Sequence, residues 1–102
     1  MMELTPQQVS MRLGEAQIVD VRETEELVDG MISGARHIPL EMLPESHATL
    51  DARPVIVVCR SGRRAAAAAE HLAAAGFDAG TMTGGMLEWA AEGLPMVFPQ
   101  LP

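Results

Sequence analysis

A chain of 102 residues can hold one domain with a core of modest depth, and 48% hydrophobic residues are enough for it to fold. The net charge of −7 argues against nucleic acid and against an anionic membrane as partners, because both select basic surfaces. The start, Met1-Met2-Glu3-Leu4, carries no signal-like segment, no later stretch reaches membrane-spanning length, and the one cysteine cannot close an internal disulfide, so a cytoplasmic location is expected.

Thr5-Pro6-Gln7-Gln8 reads as a helix start, with Thr5 as N-cap, Pro6 at the first helical position and Gln8 three residues after the cap. Val9 and Leu13 supply a stripe for burial, and Gly14 stops the helix. The β-branched run Ile18 to Val21 predicts the first inner strand, with Asp20 and Arg22 on one side of its alternation and Val19 and Val21 on the other. Asp20 and Arg22 therefore read as an ion pair at a strand end. Glu23 to Asp29 predicts a short helix with acids at its favourable end, closed by Gly30. Ala35 to Ile38 predicts the next strand, closed by Pro39. Leu40 to Leu50, with Pro44 and mixed polarity, predicts one helical turn and a loop. His37 and His47 share no metal-ligand spacing with Cys59, so no metal site is expected.

The stretch from Val55 to Ala65 organises the chain. Val55 to Val58 reads as a buried strand, and Ala65 to Ala75 as a helix ended by Gly76 and anchored by Leu72. Between them lies the loop Cys59-Arg60-Ser61-Gly62-Arg63-Arg64. A strand-loop-helix turn of this kind aims backbone N–H groups and the positive end of a helix dipole at whatever sits in the loop, which makes an anion cradle containing a thiol. Cations at a helix N-terminus oppose the dipole by roughly 0.3–1 kcal/mol each at exposed positions. Arg60, Arg63 and Arg64 at that end thus point to a bound anion or thiolate, and the same surroundings favour the thiolate form of Cys59.

Ala79 to Met82 predicts the last strand. Gly84-Gly85 then opens a final helix, Met86 to Glu92, which closes at Gly93 and Pro95. The glycine pair permits a tight turn and a close backbone approach to the Cys59 pocket. Trp89 is assigned to the core, and residues 96–102 to an extended, partly frayed tail. Strands alternating with helices imply a parallel sheet with helices on both faces. In such sheets the ligand site lies at the carboxyl ends of strands, where Cys59 stands.

Four motifs in order carry a resemblance. They are Asp20-Val21-Arg22-Glu23, then Gly30 to Leu40, then Cys59 to Arg64, then Gly84-Gly85-Met86-Leu87-Glu88-Trp89 through Pro95, and together they resemble a single-domain rhodanese nearly end to end. Met31 and Ser33 stand where such sequences usually have His and Pro. The resemblance implies an α/β fold: a rhodanese-like three-layer domain over residues 1–102, with a central, mostly parallel sheet and helices on both faces. It implies thiosulfate sulfurtransferase activity without a cofactor, with Asp20 and Arg22 shaping the surroundings of the active site.

On this reading the Cys59 thiolate attacks the outer sulfur of an anionic donor such as thiosulfate, sulfite departs, and Cys59 carries a persulfide. Lacking an internal resolving cysteine, the chain must pass that sulfur to another molecule, whether a thiol, cyanide or a protein acceptor. Arg60 and Arg63 are expected to bind the donor, backbone N–H groups of Arg60, Ser61, Gly62, Arg63 and Arg64 to cradle the charge, and Arg64 to form the loop's far rim. Gly84 and Gly85 support it. Two alternatives stay open. Cysteine phosphatases and arsenate reductases need an Arg after five intervening residues to clamp an oxyanion, where this chain has Ala65, and the phosphatases place His before the Cys, where it has Val58. A sulfur carrier or regulatory module of the same fold would act mainly with a protein partner.

Overall fold

The computed structural model describes residues 2–100. Five strands, β1 (Met2–Leu4), β2 (Gln17–Asp20), β3 (Arg36–His37), β4 (Val55–Val58) and β5 (Ala79–Met82), form one sheet in the order β1-β5-β4-β2-β3. Every pairing is parallel. Four α-helices accompany them: α1 (Pro6–Ser10), α2 (Leu43–Ser46), α3 (Arg63–Ala74) and α4 (Gly85–Ala91).

Alternation along the strands sorts the core into two layers. Val19, Val21, Val55 and Val57 pack with Ala65, Ala68, Ala69 and Leu72 of α3 on one face. Ile18, Ile56, Val58 and Met82 pack with Val9 of α1 and with Met86 and Trp89 of α4 on the other. A central parallel strand covered on both faces must be apolar at every position, which is why β4 reads as an unbroken Val-Ile-Val-Val run. The small side chains of α3 let it lie close against the sheet, with Leu72 fully buried as the anchor. The expected α/β architecture is thus the observed one. Among the described residues, no helix is long and apolar enough to cross a membrane.

Several local expectations are corrected. β1 has no counterpart in the sequence reading, because three residues are too few to show alternation. It pairs with β5 at Met2 and Gly80, where an added Cβ on Gly80 would lie 2.7 Å from the Met2 Cβ. The predicted Thr5 capping box is present, but α1 ends at Ser10, so Leu13 is exposed and Ala16 takes up the burial instead. The acidic segment forms a 3-10 helix, Thr24–Asp29, closed by Gly30 at φ 101°. Leu40 to Thr49 is helical almost throughout, in a 3-10, α, 3-10 series. Pro44 does not interrupt it, because it sits in the first turn of α2, where no N–H is needed. α3 starts two residues earlier than expected, which places Arg63 and Arg64 in its first turn.

The tail is extended, and its first part is fastened. Val97 exchanges two backbone hydrogen bonds of 2.8 Å with Met31, and the Trp89 indole N–H donates to the Pro95 carbonyl at 3.0 Å. The expected fraying at Leu101 and Pro102 lies outside the described residues.

Candidate active site

β4 ends at the carboxyl edge of the sheet and delivers Cys59 directly into the loop. The residue is 1% exposed, so the thiol is recessed. Gly62, at φ 106°, turns the chain into α3 and lets two backbone N–H groups converge on the sulfur: Gly62 N lies 3.0 Å from Cys59 Sγ, and Ala65 N lies 3.4 Å from it. The N–H groups of Arg60, Ser61, Arg63 and Arg64 have no acceptor among the described residues, and those of Arg63 and Arg64 are orphans that every helix start leaves. The loop therefore turns two N–H groups to the sulfur and leaves four more without an acceptor among the described residues.

The carbonyl side of the loop is held by α4. Met86 N donates to the Cys59 carbonyl at 2.8 Å, and Leu87 N to the Arg60 carbonyl at 3.0 Å. Because a trans peptide points its N–H opposite to its carbonyl, fixing these two oxygens toward α4 turns the N–H groups of Arg60 and Ser61 away from it. Gly85 makes the docking possible. At φ 60° it adopts a conformation L side chains rarely take, and a Cβ there would lie 2.5 Å from the Arg60 oxygen and 2.6 Å from the Cys59 oxygen. Gly84, at φ 78°, caps α4, and a Cβ there would meet the Glu88 Cβ at 2.6 Å.

The three loop arginines divide. Arg60 and Arg63 are exposed and make no ion pair among the described residues. Arg64 is committed to Glu26 through a bidentate pair of 2.6 and 2.7 Å, while Glu26 also accepts the Glu23 N–H at 2.7 Å. The Arg64 hydrogen bonds hold the Glu26 carboxyl down from 4.5 to about 2, against the opposing effect of burial. Glu26 was not singled out from the sequence. Its local signal is only that of a capping box with Glu23, and its partner lies 38 residues away.

Glu26→Gln is expected to lower stability by about 1 kcal/mol near neutral pH, since the pair is well aligned but partly solvated. A depressed carboxyl stabilises the fold fully above its unfolded value of 4.5, and that contribution is lost as pH falls toward about 2. The gap between wild type and variant should therefore narrow by about pH 3, as read from urea melts at the two pH values. A gap independent of pH would show that the charge on Glu26 contributes nothing.

Asp20 and Arg22 form more than an open strand-end pair. They are 0% and 2% exposed, and Arg22 grips Asp20 with Nε to Oδ1 at 3.0 Å and NH2 to Oδ2 at 2.7 Å. The guanidinium also donates to the Gly30 carbonyl at 2.8 Å and to the Glu26 carbonyl at 3.2 Å, while His37 Nε2 donates to the Arg22 carbonyl at 2.7 Å. A buried ion pair persists only with its remaining donors satisfied in this way. Asp20 stands in register with Val58, the residue before Cys59. The pair thus braces the turn that carries Glu26, Glu26 holds Arg64, and Arg64 adjoins the Ala65 N–H that points at the sulfur.

Two recesses flank the loop, and Cys59 lines neither. One of about 120 Å³ is bordered by Arg60 and α4, and one of about 320 Å³ by Ser61, Gly62, Arg63 and Gly84.

A parallel sheet that sets a lone buried cysteine at a helix start, with two backbone N–H groups on its sulfur, defines a recessed thiol site. The sequence profile of the rhodanese-like domain matches residues 5–92. A sulfurtransferase of Allochromatium vinosum is 32% identical over 103 residues, covering 96% of each chain. The thiosulfate sulfurtransferase GlpE of Ectopseudomonas mendocina is 38% identical over 92 residues, covering 86% of this chain and 84% of that one. A solved rhodanese-related protein from Thermoplasma volcanium superposes with a TM-score of 0.92 at 30% identity, covering 97% of this chain and all of the other. This chain belongs to the rhodanese-like family.

Proposed function

We propose that this protein is a sulfurtransferase that moves sulfane sulfur from thiosulfate, or a similar anionic donor, to a thiophilic acceptor through a persulfide on Cys59. The observation that carries this reading is the convergence of Gly62 N and Ala65 N on Cys59 Sγ. Cys59 thiolate attacks the outer sulfur of the donor. A new S–S bond forms, the donor's own S–S bond breaks, and sulfite leaves with the electron pair. Backbone N–H groups of residues 60–64 offset the negative charge carried by the outer persulfide sulfur. Arg60 and Arg63, free of carboxylate partners among the described residues, draw the dianion toward an otherwise acidic protein. Arg64, engaged by Glu26, closes the rim of the loop.

The relative named thiosulfate sulfurtransferase supports thiosulfate as donor. Phosphoryl chemistry fits less well. The position that should carry a clamping Arg is Ala65, which is 0% exposed and packed against the sheet, so a guanidinium has no space there.

Mass spectrometry tests the proposal. The peptide containing Cys59 should gain one sulfur atom after incubation with thiosulfate and lose it on adding cyanide. A peptide whose mass never changes would remove Cys59 as sulfur carrier.

A further inference from the structure

Every element that meets the loop brings charge toward Cys59. Arg60 and Arg63 are exposed and make no ion pair among the described residues. Asp20 and Arg22 are buried and paired with each other, so from a distance they act as one neutral group. Glu23 and Glu25 are exposed, Glu41 lies close enough to Glu23 to raise its carboxyl, and α4 brings Glu88 beside Gly84. Arg64 and Glu26 differ from all of these. They are half-buried and joined by two short hydrogen bonds. The Arg64 guanidinium is held up first by those bonds to Glu26, and further by the negative charges that Glu26, Cys59 and Glu23 place near it. Arg64 is thus the loop cation whose charge is felt at the thiol. Glu26 is fixed at both ends, its carbonyl accepting from Arg22 at 3.2 Å and its carboxylate from the Glu23 N–H at 2.7 Å.

Resting on the sulfurtransferase reading above, we propose that Glu26 is a positioning residue for sulfur transfer, which offsets the Arg64 charge beside the thiol and thereby sets the basicity of the Cys59 thiolate. The chemistry makes that basicity matter twice. In loading, Cys59 Sγ is the nucleophile: it forms a bond to the donor's outer sulfur as sulfite leaves with the electron pair. In discharge, the same atom is the leaving group: the acceptor bonds to the outer sulfur, and the pair from the broken S–S bond returns to Cys59 as thiolate. A less basic thiolate leaves faster and attacks more slowly, so a site that serves both halves needs an intermediate value. An unopposed guanidinium at the loop would favour departure at the expense of attack. The bidentate pair places a carboxylate against that guanidinium while leaving Arg60 and Arg63 unpaired.

The chain has one cysteine and no tyrosine, so the ultraviolet absorbance of a thiolate belongs to Cys59 alone and can be titrated without any reagent reaching the recessed sulfur. In full-length protein held below its melting transition, Glu26→Gln should lower the midpoint of that titration by about half a pH unit, the scale of one partly solvated charge at a distance of several ångströms. Arg64→Met should raise it by a similar amount, and the double variant, with neither charge, should return to near the wild-type midpoint. Glu26→Asp, which keeps the charge, should also stay near wild type. The acid limb of kcat/KM for thiosulfate, with cyanide as acceptor, should move with the midpoint in each variant. A loosened loop would instead shift both single variants in the same direction. That result, unmoved midpoints, or an acid limb that ignores them would overturn the role of Glu26, and the sulfurtransferase reading would stand as long as the wild type transfers sulfur. If the wild type transfers none, that reading falls and takes this inference with it.

Discussion

Cys59→Ser should fold and should transfer sulfur from thiosulfate to cyanide at no more than a few per cent of the wild-type rate. The two halves of this expectation have separate causes. A serine oxygen can accept from the Gly62 and Ala65 N–H groups that now point at Sγ, so the loop keeps its internal hydrogen bonds and stability should change by about 1 kcal/mol or less. The hydroxyl, in contrast, is a poor nucleophile toward sulfane sulfur and forms no persulfide. With one cysteine in the chain, no second thiol can take over the role. Transfer rates and a thermal melt on the same preparation separate the outcomes. Activity well above a few per cent would exclude Cys59 as the nucleophile, and a collapsed melting temperature would make the residue structural.

Gly85→Ala should be the most damaging single methyl group in the chain. A non-glycine residue at φ 60° costs about 1–2 kcal/mol in local strain. The added carbon would also lie 2.5 Å from the Arg60 oxygen, a backbone atom that cannot swing aside as a side-chain tip can. Relief requires α4 to withdraw, and withdrawal breaks the Met86 and Leu87 hydrogen bonds that fix the loop carbonyls. A total loss on the order of 3 kcal/mol would lower Tm by more than about 10 °C for a domain of this size. Activity should fall further than stability explains, because freed carbonyls let the N–H groups of Arg60 and Ser61 rotate out of the cradle. Gly34→Ala is the control, since it too has positive φ but nothing lies within 4 Å of its absent Cβ. If both variants melt alike and retain equal activity below their transitions, the contact between α4 and the loop has no role in catalysis.

Legibility in the sequence followed the range of the interactions involved. β4 and α3 could be read because each is specified locally, by a β-branched run buried on both faces and by a run of alanines. The cysteine loop lies between two such elements, so its place at the carboxyl edge of the sheet was legible as well. Leu13 could not be assigned correctly, because helical spacing says which face a residue shares but not where a five-residue helix will stop. β1 was hidden for the opposite reason: its three residues form a strand only because β5, far along the chain, offers Gly80 as a neighbour with no side chain. The same limit applied within the site. Arg64 reads as a free cation until Glu26, brought across by the fold, neutralises it. Gly85 reads as allowing a close backbone approach to the Cys59 pocket, and the fold adds which atoms it approaches, the carbonyls of Cys59 and Arg60.

The sheet's two outermost strands are its shortest, three residues in β1 and two in β3, against four in each strand between them. Brief edges leave few unpaired backbone groups for a second molecule to extend, which is how natural sheets resist edge-to-edge aggregation. That protection matters here because Val55–Val58 is an uncharged, β-branched segment of the type that builds fibrils when exposed. Folded, it is screened by two neighbouring strands on one side and two on the other. Unfolded, it has no such shield, so precipitation of this protein should track the population of open chains and not the concentration of native ones. Variants that loosen the loop would then be lost from solution through their central strand.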